Sequence, residues 1–86
     1  MWYVYIVECK DGSLYTGVTT DPERRLKEHR HAGSHYTSYN PATQLLYTEG
    51  FFDQSTALKR EAQIKGWTRV KKLALITHSW SALKAR

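Results

Sequence analysis

Residues 2–17, WYVYIVECKDGSLYTG, decide how the rest of the chain is read. Two runs of alternating β-formers flank Lys10-Asp11-Gly12, the signature of a β-hairpin. Three strand positions are Tyr3, Tyr5 and Tyr15, where valine would fill a sheet without a hydroxyl to satisfy. The turn decides which face each phenol takes. With Asp11-Gly12 as a two-residue loop, Tyr5 opposes Val18 and Tyr15 opposes Glu8, on opposite faces. With Lys10-Asp11-Gly12 as a three-residue loop and Gly12 left-handed at a G1 bulge, Tyr5 opposes Gly17, Tyr15 opposes Val7, and both phenols share a face. The second register leaves Val4, Ile6, Leu14 and Val18 as one apolar face and is preferred for that reason. Tyrosine in a strand is usually packing, so the pair alone does not define a site.

The 86 residues are 41% hydrophobic, which suits one small folded domain over 1–86 with a core over about 2–77. Cys9 is the single cysteine, which excludes an internal disulfide and points to a reducing, cytoplasmic location. The apolar start, Met1 to Val7, is interrupted by Glu8 and Lys10; it is too short for a membrane span and lacks the basic segment of a signal peptide. No membrane partner is expected. Thirteen Lys and Arg stand against eight Asp and Glu, a formal charge of +5. From Lys59 onward, eight basic groups face Glu61 alone, whereas acidic groups outnumber basic ones before it. Such asymmetry suits a polyanion met through its phosphates, and suits a solvated surface equally well.

Along the chain, strands are expected over 2–9 and 13–19. Thr20 or Asp21 would cap a helix from Pro22 to about His31. AGSHYTSYNPA reads as a loop and QLLYTE, 44–49, as a third strand. Asp53-Gln54-Ser55 would cap a helix over about 55–65 ended by Gly66, and Thr68 would start another through Ile76, with SWSALKAR extending it or fraying. The order is ββαβαα, an α+β pattern.

Two helices carry polar groups where apolar ones are expected. On a helical wheel with Ala57 at zero, Ile64, Leu58 and Ala62 define an apolar arc centred near about 60°, and Glu61 falls at about 40°, inside it. A carboxylate buried there without partners costs several kcal/mol, which a metal or a paired network would offset. An exposed ion pair with Lys65, four residues on, is the plainer alternative. In the first helix the one large apolar residue is Leu26, flanked by Arg25 and His29, so the face that docks carries a guanidinium and an imidazole with it. Arginine suits phosphate through its fork of donors, and histidine exchanges a proton near neutrality. A solvated surface helix would show the same residues.

Together, Val4-Tyr5-Ile6, Tyr15-Thr16-Gly17, Arg25 with His29 four later, and Glu61 in a second helix resemble the GIY-YIG nuclease superfamily, in particular its stand-alone, single-domain YhbQ-like branch. The resemblance covers Trp2 to Ile76, including LKREAQIKGWTRVKKLALI. It implies a small three-stranded antiparallel sheet flanked by helices, and a metal-dependent endonuclease hydrolysing phosphodiester bonds in DNA, with RNA as the other candidate. It also implies roles for single residues: Tyr5 as general base, Tyr15 orienting water or phosphate, Arg25 binding phosphate, His29 assisting at the nucleophile or leaving group, and Glu61 as the sole protein carboxylate on the metal. With one carboxylate and several waters, Mg²⁺ or Mn²⁺ suits that site better than Zn²⁺, which favours N and S donors.

A tyrosine with pKa near 10 is a poor base at neutral pH, and the lysine that follows the YIG-like triplet in some members is Val18 here, so Tyr5 needs Arg25, His29 or the metal. Asn40 is the one asparagine, so the C-terminal asparagine of some members has no counterpart. His35 and Tyr36 fall in the loop where other members place further active-site or DNA-contacting groups. Lys65, Trp67, Arg69, Lys71 and Lys72 are candidates to line a nucleic-acid groove by phosphate contact and stacking. The main alternative is a binding module of the same fold that does not cut, to which the Glu61 carboxylate would add nothing. A basic tail docking an acidic partner protein leaves the constellation unexplained. A zinc site from Cys9, His29, His31 and His35 is disfavoured because His29 and His31 point about 200° apart on a helix.

Overall fold

The computed structural model describes residues 1–30 and 42–84, and the side chains of 1–28 and 42–78. The elements are β1 (Trp2–Cys9), β2 (Leu14–Thr19), α1 (Pro22–Arg30), β3 (Ala42–Phe51), α2 (Gln54–Lys65) and α3 (Arg69–Lys84). They form one antiparallel sheet of order β2-β1-β3 with β1 at its centre. The hairpin takes the three-residue loop. Gly12 has φ 86°, its N–H donates to Cys9 O at 2.8 Å, and the Cys9 N–H donates to Ser13 O at 2.8 Å. Tyr5 therefore pairs with Gly17 and Val7 with Tyr15, which puts both phenols on one face.

On the other side of β1, β3 is longer than the expected 44–49 and is irregular. Ile6 pairs with Tyr47 but Val7 with Leu45, so Leu46 is an extra residue. Leu45 and Tyr47 would share a face in a regular strand; the inserted residue sends them to opposite faces. Each face consequently has its own core. Val4 and Ile6 are fully buried with Ala57 and Ile64, and Trp2, Leu14, Val18, Tyr47, Phe51, Trp67, Leu75 and Ile76 pack around them. Tyr5, Val7 and Ala42 are buried on the opposite face with Tyr15, Leu26 and Leu45.

Caps set where the helices begin. Asp21 rather than Thr20 caps α1, accepting from the Arg24 N–H at 3.2 Å, and Thr19 Oγ1 accepts from the Asp21 N–H at 3.1 Å. Asp53 caps α2 through the Thr56 N–H at 2.9 Å, and Thr68 caps α3 through the Lys71 N–H at 3.3 Å. α3 runs past Ile76 to Lys84, since no Gly or Pro in that stretch stops it. Arg69 ties its first turn to the hairpin by donating from Nη1 to Gly12 O at 2.7 Å. Among the described residues no helix is long and apolar enough to cross a membrane.

Candidate active site

The site begins with the absence of a side chain at Gly17. Tyr5 lies on the central strand, is 1% exposed, and its ring crosses β2 over Gly17. A Cβ at position 17 would overlap the phenol oxygen and stand 2.6 Å from Cζ. Glycine is required there by close approach, not by backbone angle. The phenol thereby reaches towards the β2 edge of the sheet, where Tyr15 stands with its ring centroid 6.3 Å away and tilted 44°.

α1 supplies the cation. Its single large apolar residue, Leu26, packs on the Tyr5–Val7–Ala42 core and brings Arg25 with it. Arg25 Nε donates to the Tyr5 hydroxyl in a long hydrogen bond of 3.4 Å, and its Nη1 lies 3.3 Å from Glu28 Oε2. Burial pushes the Tyr5 phenol above its ordinary range; the Arg25 bond and charge oppose that rise without cancelling it, and the charges of Tyr15 and Glu61 add to it. Arg25 is itself held further above its ordinary range, first by the Tyr5 bond.

α2 supplies the carboxylate, though not as the helical wheel implied. Leu58 is 45% exposed and Ala62 is exposed, so the buried stripe is centred on Ala57 and Ile64, and Glu61 lies on its flank. The helix is rolled because its other flank is occupied: Arg60 Nε donates to Glu49 Oε1 at 2.8 Å, and the Arg60 guanidinium lies 5.2 Å from the Trp67 ring centroid. That roll leaves the Glu61 side chain 19% exposed, beside Lys65 Nζ at 3.6 Å from Oε2. Lys65 Nζ also lies 6.0 Å from the Tyr15 ring centroid. The result is a continuous row, Arg25–Tyr5–Tyr15–Lys65–Glu61, drawn from four elements around one sheet edge.

The other sequence candidates are distributed differently. His29 is on α1, but its side chain, like His31, His35, Tyr36 and Asn40, lies outside the described residues. Trp67 packs on the apolar core of the opposite face, with Lys71 Nζ 4.4 Å from its ring centroid. Arg69 is bonded to Gly12, and Lys72 is half-buried on α3. Glu28 is not singled out from sequence, though its three-residue spacing from Arg25 signals it, and Gly17 reads there as the partner of Tyr5 and part of the Tyr15-Thr16-Gly17 motif but not as the seat of the phenol. Among the described residues no group of three His, Cys, Asp or Glu is placed to hold a metal ion.

The GIY-YIG catalytic domain model matches residues 1–74. A UPF0213 protein of Staphylococcus saprophyticus is 51% identical over 76 residues, spanning 87% of this chain and 93% of that protein. Another, from Haloquadratum walsbyi, is 54% identical over 74 residues, spanning 85% and 83%. The solution NMR structure of a UPF0213 protein from Bacillus halodurans superposes with a TM-score of 0.57 at 44% identity, over 90% of this chain and 84% of that one. The paired tyrosines over a glycine, an arginine on the first helix and a glutamate on the second thus sit in a nuclease-type domain, and the chain belongs to the GIY-YIG family, in its UPF0213 group.

Proposed function

We propose that the protein is a divalent-metal-dependent endonuclease that hydrolyses phosphodiester bonds in DNA at the row from Arg25 to Glu61. The observation that carries this reading is the make-up of the row: a guanidinium at one end, a carboxylate at the other, and two phenols and the Lys65 ammonium between them. Arg25 binds a phosphate oxygen and neutralises charge that develops at phosphorus as water attacks. Tyr5, with Arg25 at its oxygen, takes the proton of the attacking water; Tyr15 orients that water or the phosphate. His29, one turn beyond Arg25, assists at the nucleophile or leaving group. Lys65, Trp67, Arg69, Lys71 and Lys72 provide contacts to the nucleic acid beyond the scissile bond.

Glu61 is the residue that would hold the metal. A lone, half-buried carboxylate is a hard-oxygen donor, which fits Mg²⁺ or Mn²⁺ coordinated mainly by water and substrate and does not fit Zn²⁺. When bound, such an ion polarises the phosphate and stabilises the leaving oxygen. A phenol is protonated at neutral pH and burial raises Tyr5 further, so formation of the phenolate has to accompany binding.

The test is nicking of supercoiled plasmid with and without Mg²⁺ or Mn²⁺, comparing wild type with Glu61→Ala and Tyr5→Phe. Metal-dependent nicking that disappears in both variants is expected, and with Tyr5 as base the wild-type rate should climb with pH through neutrality, by up to about tenfold per unit. No nicking, with DNA retarded equally by wild type and Glu61→Ala, would replace the enzyme with a non-catalytic DNA- or RNA-binding module.

A further inference from the structure

Lys65 is placed where an ordinary nucleic-acid-contacting lysine need not be. Its ammonium lies within ion-pair distance of the one carboxylate of the row and near the ring of Tyr15. Its side chain is 50% exposed against 19% for Glu61, so the ammonium can be taken up by water more readily than the carboxylate can. We propose that Lys65 is a displaceable stand-in cation: it holds the Glu61 carboxylate until a divalent ion takes its place, and its retained charge sets how tightly that ion binds. The inference rests on Glu61 being the metal-holding residue.

The physical argument concerns charge. The ion pair offsets part of what burial costs the Glu61 carboxylate, and only part, because Lys65 is half-exposed. A divalent ion arriving at Glu61 must displace the ammonium and then tolerate it nearby, because Lys65 sits only one helical turn away. Two cationic centres at short range repel unless anionic charge is added. A phosphodiester brought to the row by Arg25 supplies that charge. Lys65 therefore weakens metal binding in the empty site and favours entry of metal and substrate together, which makes it a positioning residue and not a catalytic one.

The test measures Mn²⁺ affinity of the full chain in the absence of nucleic acid, from the paramagnetic resonance signal of free Mn²⁺, at low salt. Lys65→Met should bind Mn²⁺ about five- to tenfold more tightly than wild type, with the gain shrinking as salt is raised. Lys65→Arg, which keeps the charge, should match wild type, and Glu61→Gln should lose most binding. Because Lys65 is half-exposed, these variants should keep the wild-type melting temperature to within a few degrees. If Lys65→Met binds no more tightly while Glu61→Gln still loses binding, the stand-in is overturned and the metal role of Glu61 is untouched. If Glu61→Gln binds like wild type, or neither wild type nor Lys65→Met binds at millimolar Mn²⁺, the metal assignment itself falls and takes this inference with it.

Discussion

Among the described residues, one face of the sheet is closed by two helices and the other by α1, and the difference separates packing from chemistry. α2, α3 and the turn between them lay Ala57, Ile64, Trp67, Leu75 and Ile76 over Val4 and Ile6, whereas α1 contributes Leu26 to the face of Tyr5 and Val7. On the first face apolar surface meets apolar surface, and its polar groups Tyr47, Glu49 and Arg60 are paired with one another. Among the described residues the second face has fewer apolar partners, and there Arg25 reaches the Tyr5 hydroxyl. Adjacent residues of the same strand, Tyr5 and Ile6, are buried equally but serve different ends.

The sharpest contrast to make is between those neighbours. Tyr5→Phe should lower nicking by at least about a hundredfold while changing stability by less than about 1 kcal/mol, since the bond it loses is long and the ring stays. Ile6→Ala should do the reverse, costing about 2–5 kcal/mol in urea unfolding while each folded molecule nicks normally. Comparable losses of activity and stability in both variants would remove the division between the faces.

Gly17→Ala comes next. The added methyl meets the phenol rather than open space, so the ring has to leave its seat, at a cost of about 1–3 kcal/mol and with loss of nicking. Introduced into Tyr5→Ala, the same substitution should cost little or stabilise, because the obstacle is gone and alanine is the better strand residue. An additive pair of effects would show that the phenol does not depend on Gly17.

Much of this division was legible before any coordinates. Gly12 and the partition of Val4, Ile6, Leu14 and Val18 were enough to choose the hairpin register, because a one-residue slip would invert every side chain. Arg25 was placed by its neighbour Leu26, the one anchor that α1 has. Glu61 was singled out on a faulty arc: Leu58 and Ala62 looked buried because they are apolar, but the roll of α2 is fixed by Glu49, which reaches Arg60 from β3. No local pattern encodes that contact. The bulge at Leu46 escaped for the same reason, since it is visible only once Ile6 and Val7 have partners on β3.

The smallest effect concerns a tyrosine on the packed face, and it tests whether burial alone gives a phenol a chemical role. Tyr47 donates to Glu49 Oε2 at 2.6 Å, and burial, that bond and the Glu49 charge together push its pKa up to about 12. Folded chains thus keep the Tyr47 proton to higher pH than unfolded chains, whose tyrosines ionise near about 10, so this contribution is complete below about pH 10 and is lost as pH rises towards about 12. Tyr47→Phe should therefore flatten the alkaline fall in melting temperature between about pH 10 and 12 without touching nicking. Tyr5 is also raised, but it accepts from a cation where Tyr47 donates to an anion. Replacing Arg25 by alanine should accordingly move the Tyr5 titration further up, read as phenolate absorbance, and leave that of Tyr47 unchanged. The direction of the hydrogen bond, more than the depth of burial, distinguishes a phenol that can be deprotonated on demand from one held as a structural donor.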